Sequence, residues 1–171
     1  MRILLTNDDG FGAPGLEALR RYLAQSYSDT FDVWTVAPDS ERSSTGHSLT
    51  LQNILKLKKL SDRDFTCNGF PADCVHLSLK TILKELKPDI VISGINRGSN
   101  LGQDIYYSGT CAAAREASFF DIPSIALSLD SNVGDDSYFE NVFPLLKHII
   151  DEKIYLDIPS KCSLNLSLIH I

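Results

Sequence analysis

Short apolar segments alternate with amphipathic helical segments along the chain, and this alternation is the strongest constraint on its fold. The segments RILLT, DVWTVAP, DIVISG and PSIALS are rich in β-branched residues and apolar on both faces. That pattern predicts buried strands of a parallel sheet, whose connections are usually helices. The order therefore predicts a three-layer α/β domain with a mostly parallel sheet and right-handed crossovers.

Four segments have the patterns of helices that would cover this sheet. GLEALRRYLAQ and ADCVHLSLKTILKELK are amphipathic, and GTCAAAREASFF is a small-residue helix that can pack closely against a neighbour. The fourth, YFENVFPLLKHIIDE, contains Pro144, which predicts either a kink or the true start of the helix. The apolar stripes of the first two helices are predicted to be Leu16, Leu19, Leu23 and Ala24, and Val75, Leu79, Ile82, Leu83 and Leu86.

The stretch from Ser48 to Gly69 interrupts this rhythm because no helix of useful length fits it. We expect extended strands or a hairpin there. Lys56, Lys58 and Lys59 in this stretch could attract a phosphate, but alternating lysines more often protect an exposed edge strand. The last residues, DIPSKCSLNLSLIHI, predict a turn followed by a final apolar strand.

Length and composition are those of an ordinary globular protein. The 171 residues fit a single domain, 1–171, and 43% of them are hydrophobic. The sequence shows no signal-peptide pattern and no apolar run near the roughly 18 residues of a membrane span, so we expect a cytoplasmic protein without a membrane partner. Four scattered cysteines without a CxxC pair predict reduced, mostly buried thiols, namely Cys67, Cys74, Cys111 and Cys162.

The formal net charge of −6 argues against binding to a nucleic-acid polymer, which usually requires a basic face. A small substrate is the more natural expectation. In open α/β sheets, ligands bind outside the carboxyl ends of the strands. The predicted strands are followed there by polar loops, namely NDDG, APDSERSSTGHS and SGINRGSNLGQDIYYSGT, which we expect to meet in space.

Asp8 and Asp9 stand side by side at the end of the first predicted strand. Two adjacent carboxylates repel each other unless a positive group lies beside them, and a divalent cation is the simplest such partner. Mg²⁺ and Mn²⁺ prefer oxygen ligands, and neutral ones are available in the other loops. Capping of a turn would explain one of the two aspartates but not both. The residues alone leave the neutral ligands open among Ser40, Ser43, Ser44, Asn96 and Asn100.

The triplet Ser108, Gly109 and Thr110 stands where the small-residue helix begins. Free backbone N–H groups and the positive end of a helix dipole form an anion site there, and the two hydroxyls add donors. An ordinary Ser/Thr N-cap is the alternative interpretation. Because we expect the triplet to lie opposite the acidic loop, we favour a phosphate site over a simple N-cap.

A metal site and an anion site together favour phosphomonoester hydrolysis, in which the cation polarises the phosphate and activates a water for in-line attack. No P-loop and no GxGxxG motif is present in the sequence. Asp8 as a covalent phosphoryl acceptor is the mechanistic alternative. His47 is either a general acid or base or a structural loop residue, and Arg97 is either a phosphate clamp or a partner of one of the aspartates.

A signalling receiver domain also has an acidic pair after its first strand. It requires a phosphorylatable aspartate after a central strand and a lysine after a later one. The segments DIVISGIN and PSIALSLD offer neither arrangement, so this is the least favoured function.

Long motifs between Met1 and Ser128 identify a family. The segments ILLTNDDGFGAPGLEAL, VAPDSERSSTGHSLTL, NGFPADCVHLSL, DIVISGINRGSNLGQDIYYSGTCAAAREA and IPSIALS resemble the SurE (survival protein E) family of metal-dependent nucleotidases. The resemblance implies a Rossmann-like fold, hydrolysis of nucleoside 5′- and 3′-monophosphates to nucleoside and phosphate, and one Mg²⁺ or Mn²⁺ per subunit. It implies metal ligands at Asp8, Asp9, Ser43 and Asn96, catalytic roles for Asp8, Asp9, Asn96 and Ser108, and phosphate binding by Ser108, Gly109 and Thr110.

The carboxyl-terminal end departs from the family pattern. Family members continue with a hairpin and a helix that build homo-oligomers, whereas this sequence stops at Ile171. We therefore expect the C-terminal oligomerisation region to be missing. The alternative function is a truncated form that binds metal and nucleotide with little or no turnover.

Overall fold

The computed structural model describes residues 1–28, 30–130 and 136–168. Its strands are β1 (Arg2–Thr6), β2 (Asp32–Pro38), β3 (Leu57–Lys59), β4 (Asp64–Cys67), β5 (Ile90–Arg97), β6 (Ser124–Leu129) and β7 (Leu164–Leu168). Its α-helices are α1 (Pro14–Tyr27), α2 (Pro71–Lys80), α3 (Asp104–Tyr107), α4 (Gly109–Phe119) and α5 (Phe143–Asp151). Two 3₁₀ segments, Asp136–Val142 and Ile154–Asp157, flank α5.

The described strands form a single seven-stranded sheet in the order β3-β4-β2-β1-β5-β6-β7. Every neighbouring pair is parallel except β3 and β4. The central strand β1 is buried on both faces, with Ile3, Leu4 and Leu5 all 0% exposed. The prediction of a mostly parallel sheet is thereby confirmed, and the carboxyl ends of β1, β2 and β5 lie at one edge.

Helices cover both faces of the sheet. Core residues of α1 and α5 cluster with β1 and β5 on one face, whereas core residues of α2 and α4 cluster with β1 and β2 on the other. Ala113 and Ala117 of α4 are fully buried in this second cluster, as the small-residue pattern predicted. Close contact also fixes α1, because a Cβ built on Gly15 would lie 2.0 Å from the carbonyl oxygen of Ile95. Only glycine fits at that crossing.

The helix predicted through Lys87 is shorter in the structure, because α2 ends at Lys80. The Ser78 hydroxyl donates to the carbonyl of Cys74 at 2.5 Å, and the Thr81 hydroxyl donates to that of Leu77 at 2.6 Å. Such bonds from hydroxyl side chains compete with the regular helix ladder. Leu83 still reaches the core through a turn, but Leu86 is 44% exposed, so its assignment to the buried stripe was wrong.

The predictions for α1 and α5 are correct at most residues and wrong at one. Leu16, Leu19 and Leu23 of α1 are buried as predicted, whereas Ala24 is exposed. Pro144 lies in the first turn of α5 and marks the true start of that helix. Proline suits this position because its missing N–H would have no helical partner there.

An antiparallel hairpin of β3 and β4 fills the segment for which we expected strands. Lys58 and Lys59 lie exposed on β3, the edge strand, and Lys56 is exposed just before it, so the predicted edge position is observed. Phe65 and Cys67 of β4 face the core. The predicted last strand is β7, which pairs with β6 at the opposite edge.

The four cysteines are free thiols, three of them buried and Cys162 exposed, as predicted. Within the described ranges, none of the helices combines the length and apolarity needed to cross a membrane.

Candidate active site

A tight turn after β1 holds the predicted acidic pair at the edge of the sheet. The Asn7 side chain donates to the carbonyl of Gly10 at 2.9 Å and accepts from the Gly10 N–H at 3.2 Å. Gly10 has φ +104°, a conformation that side-chain-bearing residues rarely adopt. Asp8 and Asp9 lie inside this turn, directly after the central strand.

Asp8 is packed against the amino terminus of α4. Its side chain is 4% exposed, and its Oδ1 accepts a hydrogen bond from the Thr110 hydroxyl at 2.5 Å. Burial raises the pKa of Asp8, while hydrogen bonds from Thr110 and from the Gly109 and Thr110 N–H groups act in the opposite direction. A Cβ on Gly109 would lie 2.7 Å from the Asp8 Cβ. The acidic loop and the SGT triplet therefore meet, as the sequence predicted.

Asp9 lies in a more anionic environment. Its pKa is raised to about 6, first by burial and then by the charges of Asp8 and Glu41, while Arg97 has a smaller opposing effect. A carboxylate with such neighbours is costly to ionise in the absence of a cation. This electrostatic environment suits a divalent metal ion.

The loop after β2 reaches the same place. The Arg42 N–H donates to the Asp8 carbonyl oxygen at 2.7 Å, which brings the adjacent Ser43 to the acidic turn. Ser43 is exposed, and its hydroxyl donates to Glu41 Oε1 at 2.7 Å. Its oxygen retains lone pairs that a cation could use.

The end of β5 supplies the third side of the site. Asn96 is the penultimate residue of this strand, and its side-chain nitrogen donates to the Gly98 carbonyl at 2.9 Å. Its side-chain oxygen is the atom that a hard cation would use. Arg97 lies with its guanidinium carbon 5.6 Å from the Phe139 ring centre, and its charge lowers the pKa of Asp9.

Asn100, the other asparagine that the sequence allowed as a metal ligand, is engaged in structural hydrogen bonds. It is 6% exposed, and its side-chain nitrogen donates to the Ser128 hydroxyl at 2.6 Å. Its backbone carbonyl accepts from the Asn165 side chain at 2.9 Å. These bonds tie the loop after β5 to β6 and β7.

The triplet at the start of α4 is both a helix cap and a contact to the acidic turn. The Ser108 hydroxyl oxygen accepts from the Cys111 N–H at 3.1 Å, which is the N-cap that we considered as the alternative. The Thr110 hydroxyl and the first N–H groups of α4 bond Asp8. The positive end of the helix dipole thus already faces an anionic group, Asp8.

Sequence reasoning missed a buried carboxylate that holds His47. Glu116 of α4 is 5% exposed and accepts from His47 Nε2 at 2.8 Å and from His76 Nδ1 at 2.8 Å. The His47 ring also stacks on Phe119, with 5.6 Å between ring centres. The sequence signal was the charged pair Arg115 and Glu116 within a helix that is otherwise mostly small residues. These contacts give His47 a structural partner.

The donor set fits a hard cation. Among the residues that the structure describes, no three His, Cys, Asp or Glu side chains are grouped to hold a metal. A cation at this edge would therefore combine the two carboxylates with neutral oxygens from the β2 loop and from β5. Mg²⁺ and Mn²⁺ accept such a set.

The fold and the site define a Rossmann-like α/β protein with its polar centre at the carboxyl ends of the strands. Residues 3–168 match the family model described as Survival protein SurE. The chain belongs to the SurE family, as its motifs predicted.

Curated relatives and a solved structure agree with this assignment. A "5'-nucleotidase SurE" from Beijerinckia indica is 54% identical over 128 residues, which cover 75% of this chain and 48% of that protein. One from Nitrobacter winogradskyi is 42% identical over 98% of this chain and 65% of its own length. The crystal structure of the SurE protein from Aquifex aeolicus superposes with a TM-score of 0.78 at 43% identity, covering 89% of this chain and 61% of that one.

The chain thus spans about half to two thirds of the length of these relatives. Family membership favours the nucleotidase hypothesis over the receiver domain.

Proposed function

We propose that the chain carries the catalytic centre of a metal-dependent phosphomonoesterase that hydrolyses nucleoside 5′-monophosphates, and also 3′-monophosphates, to nucleoside and phosphate. The observation that carries the proposal is the packing of the Asp8 and Asp9 turn against the amino terminus of α4. The names of the relatives, 5'-nucleotidase SurE, supply the reaction class.

One Mg²⁺ or Mn²⁺ would be held by Asp8, Asp9, Ser43 and Asn96. When bound, the cation supplies positive charge that polarises the phosphate and activates the attacking water. Asp9 is the ligand most in need of it, because burial and neighbouring carboxylates raise its pKa to about 6.

Ser108, Gly109 and Thr110 would orient the phosphate at the positive end of α4. Thr110 also fixes Asp8 through its hydroxyl. We assign catalytic roles to Asp8, Asp9, Asn96 and Ser108.

Asp8 is a poor candidate for a covalent phosphoryl acceptor. Its side chain is 4% exposed, and its carboxylate already accepts hydrogen bonds from Thr110 and from the first N–H groups of α4. A nucleophile needs a free lone pair and access to phosphorus. Intact-mass analysis after rapid quenching should therefore find no phosphorylated aspartate, and a trapped phospho-Asp8 would replace the water mechanism.

The test of the function is phosphate release from a panel of nucleoside monophosphates with Mn²⁺, Mg²⁺ or chelator. We expect release that requires metal and falls by at least about 100-fold in Asp9→Asn, the order of loss for a group that organises a catalytic ion. Activity that survives both chelator and the substitution would exclude the metal mechanism. Metal and nucleotide binding without release would favour the truncated, inactive alternative.

The proposals on domain number, location and partners rest on the sequence. We propose a single domain over 1–171, a cytoplasmic location, and no nucleic-acid or membrane partner. We propose that the chain forms a homo-oligomer, as is typical of the family, and light scattering of the purified chain is the direct measurement of its assembly.

A further inference from the structure

A buried carboxylate on α4 holds two histidines from different parts of the chain. Glu116 is 5% exposed, its Oε2 accepts from His47 Nε2 at 2.8 Å, and its Oε1 accepts from His76 Nδ1 at 2.8 Å. Burial raises the pKa of Glu116, but the hydrogen bonds from the two histidines outweigh it, so the group is a carboxylate at neutral pH. The reaction proposed above gives this buried charge no role.

His47 belongs to the loop that carries the proposed metal ligand Ser43. This loop, residues 39–48 after β2, is exposed at Ser43, whose hydroxyl donates to Glu41 within the same loop at 2.7 Å. The Thr45 hydroxyl also donates to a carbonyl of the loop, at 2.8 Å. Bonds of this kind shape the loop, but they do not fix its position against the acidic turn.

Two backbone bonds attach the loop to the site, one on each side of Ser43. Before Ser43, the Arg42 N–H donates to the Asp8 carbonyl at 2.7 Å. After it, the Gly46 N–H donates to the carbonyl of Tyr107, the residue before the SGT triplet, at 2.8 Å. Because both bonds join backbone atoms, substitution of a side chain leaves their donors and acceptors in place.

The contact of His47 with Glu116 is a third attachment, and it is made through side chains. A hydrogen bond to an ionised carboxylate is roughly twice as strong as one between neutral groups. The His47 ring also stacks on Phe119, with 5.6 Å between ring centres and 7° between the ring planes. The bond and the stack together fix the position and the tilt of the ring, and with them the loop backbone close to Ser43.

The helix that holds this loop also holds the acidic turn. Thr110, in the first turn of α4, donates to the Asp8 carboxylate. Glu116 lies six positions later on the same helix, about 9 Å along its axis at 1.5 Å per residue. One helix therefore contacts both the segment with the carboxylate ligands and the loop with Ser43, and it sets the distance between them.

His76 provides an internal contrast. It bonds the other oxygen of Glu116 at the same distance, but it lies on α2 and not on the loop with Ser43. Its side chain is 45% exposed, against 20% for His47. Removal of either histidine leaves Glu116 with one histidine donor, whereas only removal of His47 detaches the loop.

We infer that Glu116 is a positioning residue for the metal centre: through His47 it holds the loop after β2 so that Ser43 lies within reach of a cation at the acidic turn. The inference rests on the proposed function, and it gives His47 a role that is neither acid nor base. Loss of a contact that orients a metal ligand without touching the ion typically weakens metal binding by about 10- to 100-fold.

The test measures Mn²⁺ affinity by calorimetry after the metal has been removed with chelator. We expect Kd for Mn²⁺ to rise at least about tenfold in His47→Ala and to stay close to the wild-type value in His76→Ala, the matched control. His47→Gln should largely restore the affinity, because its side-chain amide can still donate to Glu116. Circular dichroism establishes that each variant is folded. Should His47→Ala not fold, His47→Asn, whose shorter amide does not reach Glu116, provides the same comparison.

Phosphate release separates this inference from the proposed reaction. In His47→Ala, the Mn²⁺ concentration for half-maximal rate should rise in step with Kd, while kcat at saturating Mn²⁺ should change little. A chain that releases no phosphate, but whose Mn²⁺ affinity depends on His47, would support the inference and contradict the reaction.

Three results would overturn the inference. An active chain whose Mn²⁺ affinity is unchanged in His47→Ala, or equally weakened in His76→Ala, would leave the reaction standing without this positioning role. A lost kcat with unchanged Mn²⁺ affinity would make His47 a direct acid or base. A wild-type chain that binds no Mn²⁺ would overturn the inference and the metal mechanism together.

Discussion

At the scale of single residues, the two carboxylates after β1 differ in what surrounds them. Asp8 is bonded by Thr110 and by the start of α4, whereas Asp9 has Asp8 and Glu41 as anionic neighbours. Deprotonation of Asp9 in the metal-free chain therefore costs free energy. A bound cation would remove that cost, which links the stability of the chain to its metal site.

The first prediction concerns Asp9→Asn in the presence of chelator. The pKa of Asp9 is raised to about 6 in the fold, mainly by burial, so its contribution to stability is present below the unfolded pKa and lost as pH rises through about 6. The metal-free variant should therefore be more stable than wild type at pH 8, by about 1 to 2 kcal/mol after allowance for partial solvent access. Urea unfolding at pH 8 and pH 4 measures it, and the difference should largely disappear at pH 4. A less stable variant at pH 8 would contradict the repulsion.

The second prediction concerns the contact between α4 and Asp8. In Gly109→Ala the new Cβ would lie 2.7 Å from the Asp8 Cβ and 3.0 Å from the Pro71 Cγ, so Asp8 or the helix must move. Because small displacements of a catalytic group are costly, phosphate release should fall by roughly 100-fold. The matched control is Gly12→Ala, where nothing lies within 4 Å of the added Cβ. Similar activities of the two variants would show that the approach of α4 to Asp8 does not matter.

At the scale of elements, the bridge formed by His47, Glu116 and His76 ties the loop after β2 to α2 and α4. Burial alone would raise the pKa of Glu116, but the hydrogen bonds from the two histidines outweigh it, so the pKa lies below its ordinary value. The stability that the bridge contributes is therefore present above the unfolded pKa of a glutamate and lost as pH falls through the lower folded pKa.

The third prediction follows from that sign. Glu116→Gln should lower the free energy of unfolding at pH 7 by about 1 to 3 kcal/mol, the range for a broken buried polar network, and the loss should shrink below about pH 4. Denaturant curves at several pH values provide the measurement, with Glu85→Gln at an exposed position as the control. A loss that is equal at pH 3 and pH 7 would mean that the charge of Glu116 has no part in it.

The elements also show how far the sequence could predict the molecule. The mostly parallel sheet and the meeting of the strand-end loops followed from periodicity and from the geometry of parallel sheets. The end of α2 did not, because its last turn is closed by bonds from the Thr81 and Leu83 N–H groups to the Ser78 carbonyl, and such a closure leaves no periodic signal. The partnership of His47 with Glu116 joins residues 69 positions apart, and such a contact leaves no periodic signal. The acidic pair was visible as a pattern, but its hydrogen bonds from α4 required the folded chain.

At the scale of the whole molecule, the candidate metal site joins segments that are distant in sequence. Asp8 and Asp9 follow β1, Ser43 lies after β2 and Asn96 is near the end of β5, so the ligands are assembled only in the folded chain. A cation that binds the native state and not the unfolded one stabilises the entire domain by RT ln(1 + [M]/Kd), about 2.7 kcal/mol at a hundredfold excess over Kd.

The last prediction is therefore a metal-dependent melting temperature. For a domain of this size, that stabilisation corresponds to a rise of roughly 5–10 °C. Differential scanning fluorimetry with Mn²⁺, Mg²⁺ and Ca²⁺ after chelation measures it, and the rise should be abolished in Asp9→Asn. The same variant is expected to be the more stable protein in chelator at pH 8, so the two melting curves should cross as Mn²⁺ is added. If Asp9→Asn keeps the higher melting temperature at every Mn²⁺ concentration, Asp9 is not a metal ligand. Its raised pKa would then be a property of the metal-free fold alone.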